Sequence, residues 1–294
     1  MCHEKSKPLW ATWIGGKRAR MQSAAYLATL LEILACPIDP ASPLTSVRGP
    51  SGQVVALRSQ NGEYLVADNV PYMIPTLLAR PDRNLSLWQE HQQQRWQEYQ
   101  EGKRSFFSEG DEKAQYVGEI IAQTGGGLFL DVGCGVLPSP GYMAASGSGV
   151  TWIGVDPLLG DVARGFPFAQ AVGEYLPFRD HTFDAVLYGS TIYHQTDPRR
   201  SLERARRAIR PGGKLYMWYE SDRLDLRYIA WKTRQLLGWP CHYSKLARWA
   251  FTRRALHSVL KQSGFVAEEE VLLCIKCPDY ATCPKPTHFL VIAR

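Results

Sequence analysis

The residues best suited to chemistry lie at two strand ends. In Leu128-Phe-Leu-Asp131-Val-Gly133-Cys134-Gly135 an apolar run meets two glycines one residue apart. Glycine adopts backbone angles closed to other residues, so such a pair turns the chain sharply and lets a ligand approach it. A helix after that turn would direct its free N–H groups at a polar or anionic group. The next apolar run, Thr151 to Val155, ends at Asp156, 23 residues after Gly133. A carboxylate there can accept hydrogen bonds from both hydroxyls of a ribose. Glycine turn, sheet and acidic strand end together imply an adenosine-containing cofactor at the carboxyl edge of the sheet. A dinucleotide fingerprint would have a third glycine three residues after Gly135, where this chain has Pro138.

Further candidates follow along the chain. His194, in Tyr193-His194-Gln195, has the residue type of a general base, with an ordinary pKa of ~6.5. It can equally bond the backbone and shape its loop. Glu220 and Asp222, just past another apolar run, can face an acceptor. Trp96 and Tyr99 share one face of a helical segment and can form a lid over the cofactor or simply pack. Cys274, Cys277 and Cys283 have no second Cys-x-x-Cys pair, so no metal is expected there.

These residues need elements to position them. From residue 128 onward strands and helices alternate, the pattern of a mostly parallel sheet covered on both faces. Leu128 to Val132, Thr151 to Val155, Phe183 to Tyr188 and Lys214 to Trp218 read as strands, and Val266 to Ile275 with His288 to Ala293 as a closing antiparallel pair. Asp197-Pro198 starts a helix that Pro211-Gly212-Gly213 is expected to end, and another runs from near Thr252 to Gly264. Residues 81–124 read as a helical linker and lid, the second of its helices capped by Asp111 and stopped by Gly125-Gly126-Gly127. Residues 24–80 hold a short helix, with Leu27, Leu30, Leu31 and Leu34 at helical spacing, then turn-rich sequence. Two strand-like runs follow, Val54 to Leu57 and Tyr64 to Val66, and Asn61-Gly62 between them signals a hairpin. Residues 1–23 are basic and aperiodic.

Composition excludes several classes. At 294 residues, 45% hydrophobic and 21% charged, the chain can fill a core and is too apolar for a disordered protein. Seven cysteines, an odd number, do not form a secreted disulfide framework, which points to a reducing, cytoplasmic compartment. Basic residues before Ala24 to Cys36 imitate an export signal, but Glu32 lies inside the apolar run and its leucines follow a helix. The net charge of +6 permits an anionic partner without requiring one. The arginine-rich segment Arg199 to Arg210 turns Leu202, Ala205 and Ile209 inward, so its arginines read as a solvated outer face.

Five motifs in order now carry a family resemblance. Asp131-Val-Gly-Cys-Gly135, Val155-Asp156-Pro157, Glu174-Tyr-Leu-Pro-Phe178, Phe183-Asp184-Ala-Val186 and Arg210-Pro-Gly-Gly213 resemble class I S-adenosylmethionine-dependent methyltransferases, nearest their ubiquinone-biosynthesis-like branch. The resemblance spans about residues 112–294. It implies an α/β, Rossmann-like seven-stranded sheet with helices on both faces and a reversed last strand. It also implies roles residue by residue. Asp131, Gly133, Cys134 and Gly135 would surround the methionine part of S-adenosylmethionine, and Asp156 would hold the ribose. Pro157 and Leu158 would flank the adenine, whose edge meets Gly173 and Glu174. Tyr188 and Ser190 would line the floor beside the methyl group. Two departures stand out: the frequent third glycine is Leu137, and Val172 occupies the place of an acidic adenine partner.

Residues 30–77 resemble the small zinc-ribbon partners of tRNA and protein methyltransferases. The four ligand positions would be Cys36, Asp39, Ser59 and Gly62. One conventional ligand in four implies a ribbon-like domain that has lost its metal. The whole reading is a methyltransferase domain over 125–294, with residues 221–251 as a cap rich in aromatic and basic residues. Such a cap suits a small, partly apolar or aromatic acceptor methylated on oxygen or carbon. RNA, a lipid or quinone at a membrane surface, and a non-catalytic binding protein are the alternatives. The oligomeric state stays open.

Overall fold

The computed structural model describes residues 22–75, 109–160, 162–220, 251–273 and 288–294, together with residues 97, 101, 107 and 233. Residues 1–21, Trp96, Tyr99, Cys274, Cys277, Cys283 and, apart from residues 233 and 251, the expected cap 221–251 lie outside the described residues.

Seven strands form the larger sheet: β5 (Gly127–Val132), β6 (Val150–Asp156), β7 (Phe168–Gln170), β8 (Phe183–Gly189), β9 (Ile209–Glu220), β10 (Ala267–Leu272) and β11 (His288–Ala293). Their order is β10-β11-β9-β8-β5-β6-β7, with β11 antiparallel to both of its neighbours and the pairs from β9 to β7 parallel. This is the seven-stranded mixed sheet of the methyltransferase fold. The inner strands read as continuous apolar runs because both of their faces are buried. Phe129, Leu187, Tyr216 and Leu290 belong to the apolar cluster on one face, and Leu130, Val186, Met217 and Phe289 to that on the other.

Local chemistry explains the helix ends. Asp111 accepts hydrogen bonds from Lys113 and Ala114 N–H at the start of a helix over Glu112–Ala122. Asp197 does the same for Arg200 N–H, ahead of a helix over Pro198–Ala208 with Pro198 in its first turn. Thr252 caps Arg253–Gln262, and Gly264, at φ +83°, turns the chain after it. Ala24–Ile33 is helical as its leucine spacing requires, with Leu27 and Leu30 buried.

Four local expectations need correction. The helix from Pro198 ends at Ala208, three residues before Pro211, and Ile209 already has extended angles at the head of β9. The first hairpin of the small sheet turns one residue early: Ser59 pairs with Gly62, leaving Gln60 and Asn61 in the turn. A second hairpin turns at Asp68-Asn69, both at positive φ, a turn that the side chains of Asp and Asn favour. The strands β1 (Thr45–Arg48) and β7 lie where turn-rich or unassigned sequence was read; both are short and gain their order from a neighbour.

A small antiparallel sheet, β1 with β2 (Val54–Ser59), β3 (Gly62–Ala67) and β4 (Val70–Pro71), packs on the edge of the large one. Tyr72 bridges to Gln170, and Met73 N–H donates to Gln170 O at 2.8 Å. Gln22 caps the same edge, its amide bonding both the N–H and the carbonyl of Phe168. Unpaired edge strands invite pairing with other chains, and this contact covers β7. Leu27, Leu30, Leu34, Tyr64 and Met73 continue the apolar cluster that holds Ala169, Ala171 and Phe178.

Within the small sheet the four expected ligand positions converge without a set of metal donors. Ser59 Oγ donates to Cys36 Sγ at 3.3 Å, Asn61 Nδ2 lies 3.7 Å from that sulfur, and Tyr64 Oη lies 3.6 Å from it. Burial raises the Cys36 thiol, but the bonds from Ser59, the Asp39 backbone, Tyr64 and the Ile38 backbone prevail and leave its pKa below the ordinary value. Cys36 is thus a hydrogen-bonded thiol. Elemental analysis of the purified chain should find zinc far below stoichiometric, and a chelator should leave the melting temperature unchanged. Stoichiometric zinc that survives dialysis would overturn this.

Candidate active site

The carboxyl ends of β5, β6, β8 and β9 open onto a cavity of about 280 Å³. Its lining brings together Gly133, Cys134, Gly135, Asp156, Leu158, Ser190, Tyr193, His194 and Glu220 of the expected set. Gly133 (φ +83°) and Gly135 (φ +69°) make the turn above β5. A side chain at Gly133 would collide with Thr191, 2.5 Å from the place of a Cβ, and Thr191 is itself tied to Val132 O at 2.7 Å. Only glycine satisfies both the angle and the space.

Asp156 ends β6 with its carboxylate divided between two loops. Oδ2 accepts from Gly135 N–H at 2.9 Å and Oδ1 from Leu158 N–H at 2.7 Å, and burial raises its pKa above the ordinary value. Arg164, which no motif announces, braces the same loops from below. Its guanidinium donates to the carbonyls of Gly135, Leu158 and Leu159 at 2.6 to 3.0 Å and lies 3.6 Å over the Phe168 ring. Burial pushes the Cys134 thiol well up.

Several residues fall elsewhere than expected. Tyr188 does not line the floor: strand alternation sends its side chain to the far face, where Oη donates to Ser201 O at 3.0 Å. Gly189 takes the floor position beside Ser190. Glu174 turns away from the cavity, its Oε1 accepting from Thr196 N–H and Oγ1 and from Asp197 N–H. Gly173 packs against Ser201 and Gln195, and a Cβ there would meet Ser201 Oγ at 2.2 Å. Pro157 is not part of the lining, and its carbonyl accepts from Gln170 Nε2 at 2.8 Å. Asp131 is fully buried beneath the turn, with Tyr142 Oη donating to Oδ2 at 2.6 Å. Burial, with Asp156 adding to it, pushes its pKa up to about 7 against the Tyr142 bond.

The helix expected directly after the glycines is Gly141–Ala145, only five residues long and starting six residues after Gly135. Pro138 and Pro140 exclude an earlier start, because a residue before proline avoids helical angles. Its first N–H is already bound to Phe107 O at 2.7 Å, so it offers no anion site.

Tyr193 Oη donates to Ser190 Oγ at 2.9 Å and accepts from Glu220 N–H at 3.3 Å. His194 stacks edge-on to Tyr193, ring centroids 5.3 Å apart, and also lines the cavity. Phe107, Asp111, Lys113, Trp218 and His288 complete the wall. None of these five was read from the sequence as part of the site, since the fold draws them from three distant segments.

Comparison with known proteins agrees with this geometry. Residues 130–217 match the methyltransferase domain family. Over 73 residues, 25% of this chain and 22% of the relative, the chain is 33% identical to a tRNA U34 carboxymethyltransferase of Campylobacter curvus. Over 48 residues, 16% of this chain and 18% of the relative, it is 40% identical to a ubiquinone/menaquinone biosynthesis C-methyltransferase of Haemophilus ducreyi. Each match thus spans about a fifth of the relative's length. Among solved structures, the 1,6-didemethyltoxoflavin-N1-methyltransferase of Burkholderia thailandensis, bound to 1,6-didemethyltoxoflavin and S-adenosylhomocysteine, superposes with a TM-score of 0.51. That likeness covers 87% of this chain and 96% of that one at 14% identity. The fold is that of an S-adenosylmethionine-dependent methyltransferase.

The residues present suit that cofactor. The turn at Gly133 and Gly135 leaves backbone open toward the cavity, Asp156 offers acceptors at the sheet edge, and Leu158 supplies an apolar side. No helix among the described residues is long and apolar enough to cross a membrane.

Proposed function

We propose that this chain transfers the methyl group of S-adenosylmethionine to a small, partly apolar or aromatic acceptor. The observation that carries the reading is one cavity of about 280 Å³ in which the glycine turn and Asp156 face a wall of Phe107, Tyr193, Trp218 and His288. When bound, S-adenosylmethionine supplies a methyl group made electrophilic by its sulfonium. Gly133, Gly135 and Asp156 would hold the cofactor at the β5 and β6 ends, and the aromatic wall would orient the acceptor. Orientation alone can contribute ~7–11 kcal/mol to lowering the barrier of such a step. The same apolar wall excludes water, which favours a reaction that disperses charge. Tyr193, fixed through Ser190 and the Glu220 backbone, holds the loop that carries His194. His194 and Glu220 are then the groups placed to receive an acceptor proton.

The arginine-rich helix over Pro198–Ala208 supports a small acceptor over RNA, because its charges are used within the fold. Arg199 pairs with Glu203 and Arg207 with Asp180, Arg200 lies 4.1 Å over the Tyr175 ring, and Arg204 donates to the carbonyls of Pro37 and Ile38. RNA binding needs cationic groups left to meet phosphates. We read residues 24–80 as a ribbon-like domain without its metal, its role being to cover the β7 edge. The test is incubation with methyl-labelled S-adenosylmethionine and either a small-molecule extract or bulk RNA. Label in the small-molecule fraction is expected; label in RNA, falling steeply with salt, would replace this reading.

A further inference from the structure

The wall of the cavity farthest from Asp156 in the sheet order is built by β9 and β11. These strands pair antiparallel with Trp218 opposite Leu290 and Glu220 opposite His288. Directly opposed residues, and residues two apart, share a sheet face, so Trp218, Glu220 and His288 project from the same one. The Trp218 and His288 ring centroids lie 6.4 Å apart at 76°. Phe107 meets Trp218 edge-on at 4.6 Å and holds the indole in place.

Both rings carry a polar atom that the fold leaves unsatisfied. Trp218 Nε1 and His288 Nδ1 are buried and have no hydrogen-bond partner among the described residues. Trp218 is only 2% exposed and lies at the inner wall of the cavity. Buried polar groups without partners are rare and costly, and two on adjacent rings that line a cavity indicate a ligand that supplies both bonds. The indole N–H can only donate, so its partner is an acceptor atom.

The imidazole is ambivalent, and its charge state narrows the choice. Burial, reinforced by the positive charge of Lys113 and opposed by Asp111, pulls His288 down to about 4. At neutral pH the ring is therefore uncharged and presents one bare nitrogen. This inference rests on the methyl-transfer reading: an uncharged oxygen or nitrogen nucleophile brings an O–H or N–H that must point somewhere. A neutral imidazole nitrogen can accept that hydrogen bond in the bound complex, while His194 and Glu220 remain the groups placed to receive the proton itself.

We propose that Trp218 and His288 form the recognition edge for the acceptor. Its ligand is a planar, uncharged ring whose rim carries a hydrogen-bond acceptor beside a donor, as in a cyclic amide or an aromatic ring with neighbouring carbonyl and hydroxyl groups. Trp218 Nε1–H donates to the carbonyl-type oxygen, and His288 Nδ1 accepts from the adjacent N–H or O–H. Phe107 and the indole confine the ring plane. The two residues select the acceptor and leave the cofactor to the β5 and β6 ends.

The probe is 2-pyridone, a minimal cyclic amide, compared with N-methyl-2-pyridone, which keeps the acceptor and lacks the donor. Both are titrated into the full-length ¹⁵N-labelled chain with and without saturating S-adenosylhomocysteine. One indole N–H signal, identified by its loss in Trp218→Phe, should move downfield with 2-pyridone. The N-methyl compound should bind at least tenfold more weakly. His288→Leu should abolish that discrimination, and S-adenosylhomocysteine affinity should stay within twofold in both variants. A Trp218 signal unmoved by 2-pyridone, or equal binding of the two probes by the unaltered chain, overturns the proposal, and the second result does not depend on a variant folding. S-adenosylhomocysteine that fails to bind the unaltered chain would instead remove the methyl-transfer reading, while the Trp218 signal still judges the recognition edge.

Discussion

Asp156→Ala should weaken S-adenosylhomocysteine binding by one to two orders of magnitude. Hydrogen bonds to an ionised group are worth ~1.5–3 kcal/mol, which converts to a factor of roughly ten to a hundred and fifty. The carboxylate has a double task in this fold. It is placed to accept from a ribose, and it already joins the Gly135 and Leu158 loops through their N–H groups. Alanine removes the ligand bonds and frees both loops, although Arg164 still holds their carbonyls. Asp156→Asn keeps an acceptor oxygen and should lose less. Titration calorimetry on the three proteins, with melting temperatures as the folding control, checks the order. Unchanged affinity in a folded Asp156→Ala protein would remove Asp156 from the cofactor site.

Asp131→Asn should stabilise the ligand-free chain at pH 8 by on the order of 2 kcal/mol, and the gain should vanish toward pH 4. Asp131 is completely enclosed, Oδ1 has no partner among the described residues, and burial lifts its pKa from 3.8 to about 7. A carboxyl whose pKa is raised by folding contributes its full stability below the unfolded value. That contribution is lost as pH rises through the folded value, here between about 4 and 7. Asparagine has no charge to desolvate, and its oxygen can still accept from Tyr142 Oη. At several degrees of melting temperature for such a change, thermal unfolding at pH 4, 6 and 8 resolves the trend. A loss of stability at pH 8 would show that the buried carboxylate is held by an interaction stronger than its desolvation.

The site and its scaffold differ in how far they can be read without coordinates. The glycine turn, the acid at the end of β6 and the caps Asp111, Asp197 and Thr252 are legible because each depends on a few adjacent residues. Backbone angles, strand ends and orphan N–H groups are local matters, so residue type at fixed spacing determines them. The class I methyltransferase resemblance rests on the same kind of feature, short motifs at strand ends.

What the sequence could not decide is which side of a buried strand meets the ligand. Phe183–Gly189 is apolar at nearly every position because both faces of β8 are covered, so no alternation marks Tyr188 as pointing away and Gly189 as facing the cavity. Glu174 carries the right charge near the right motif, yet Thr196 and Asp197, more than twenty residues later, claim its carboxylate. Arg164 lies in a loop without a pattern, and its use appears only once Gly135 and Leu159 are brought to either side of it. The edge strands β1 and β7 are short, so pairing with a neighbour makes them strands where propensity does not. Trp218 and His288 are seventy positions apart, and an antiparallel register sets them on one wall. Local sequence therefore determined the glycine turn and the Asp156 end of the cavity, where each part is a turn or a strand end. Tertiary structure decided the opposite wall of Phe107, Trp218 and His288, because its parts meet only through sheet pairing and burial.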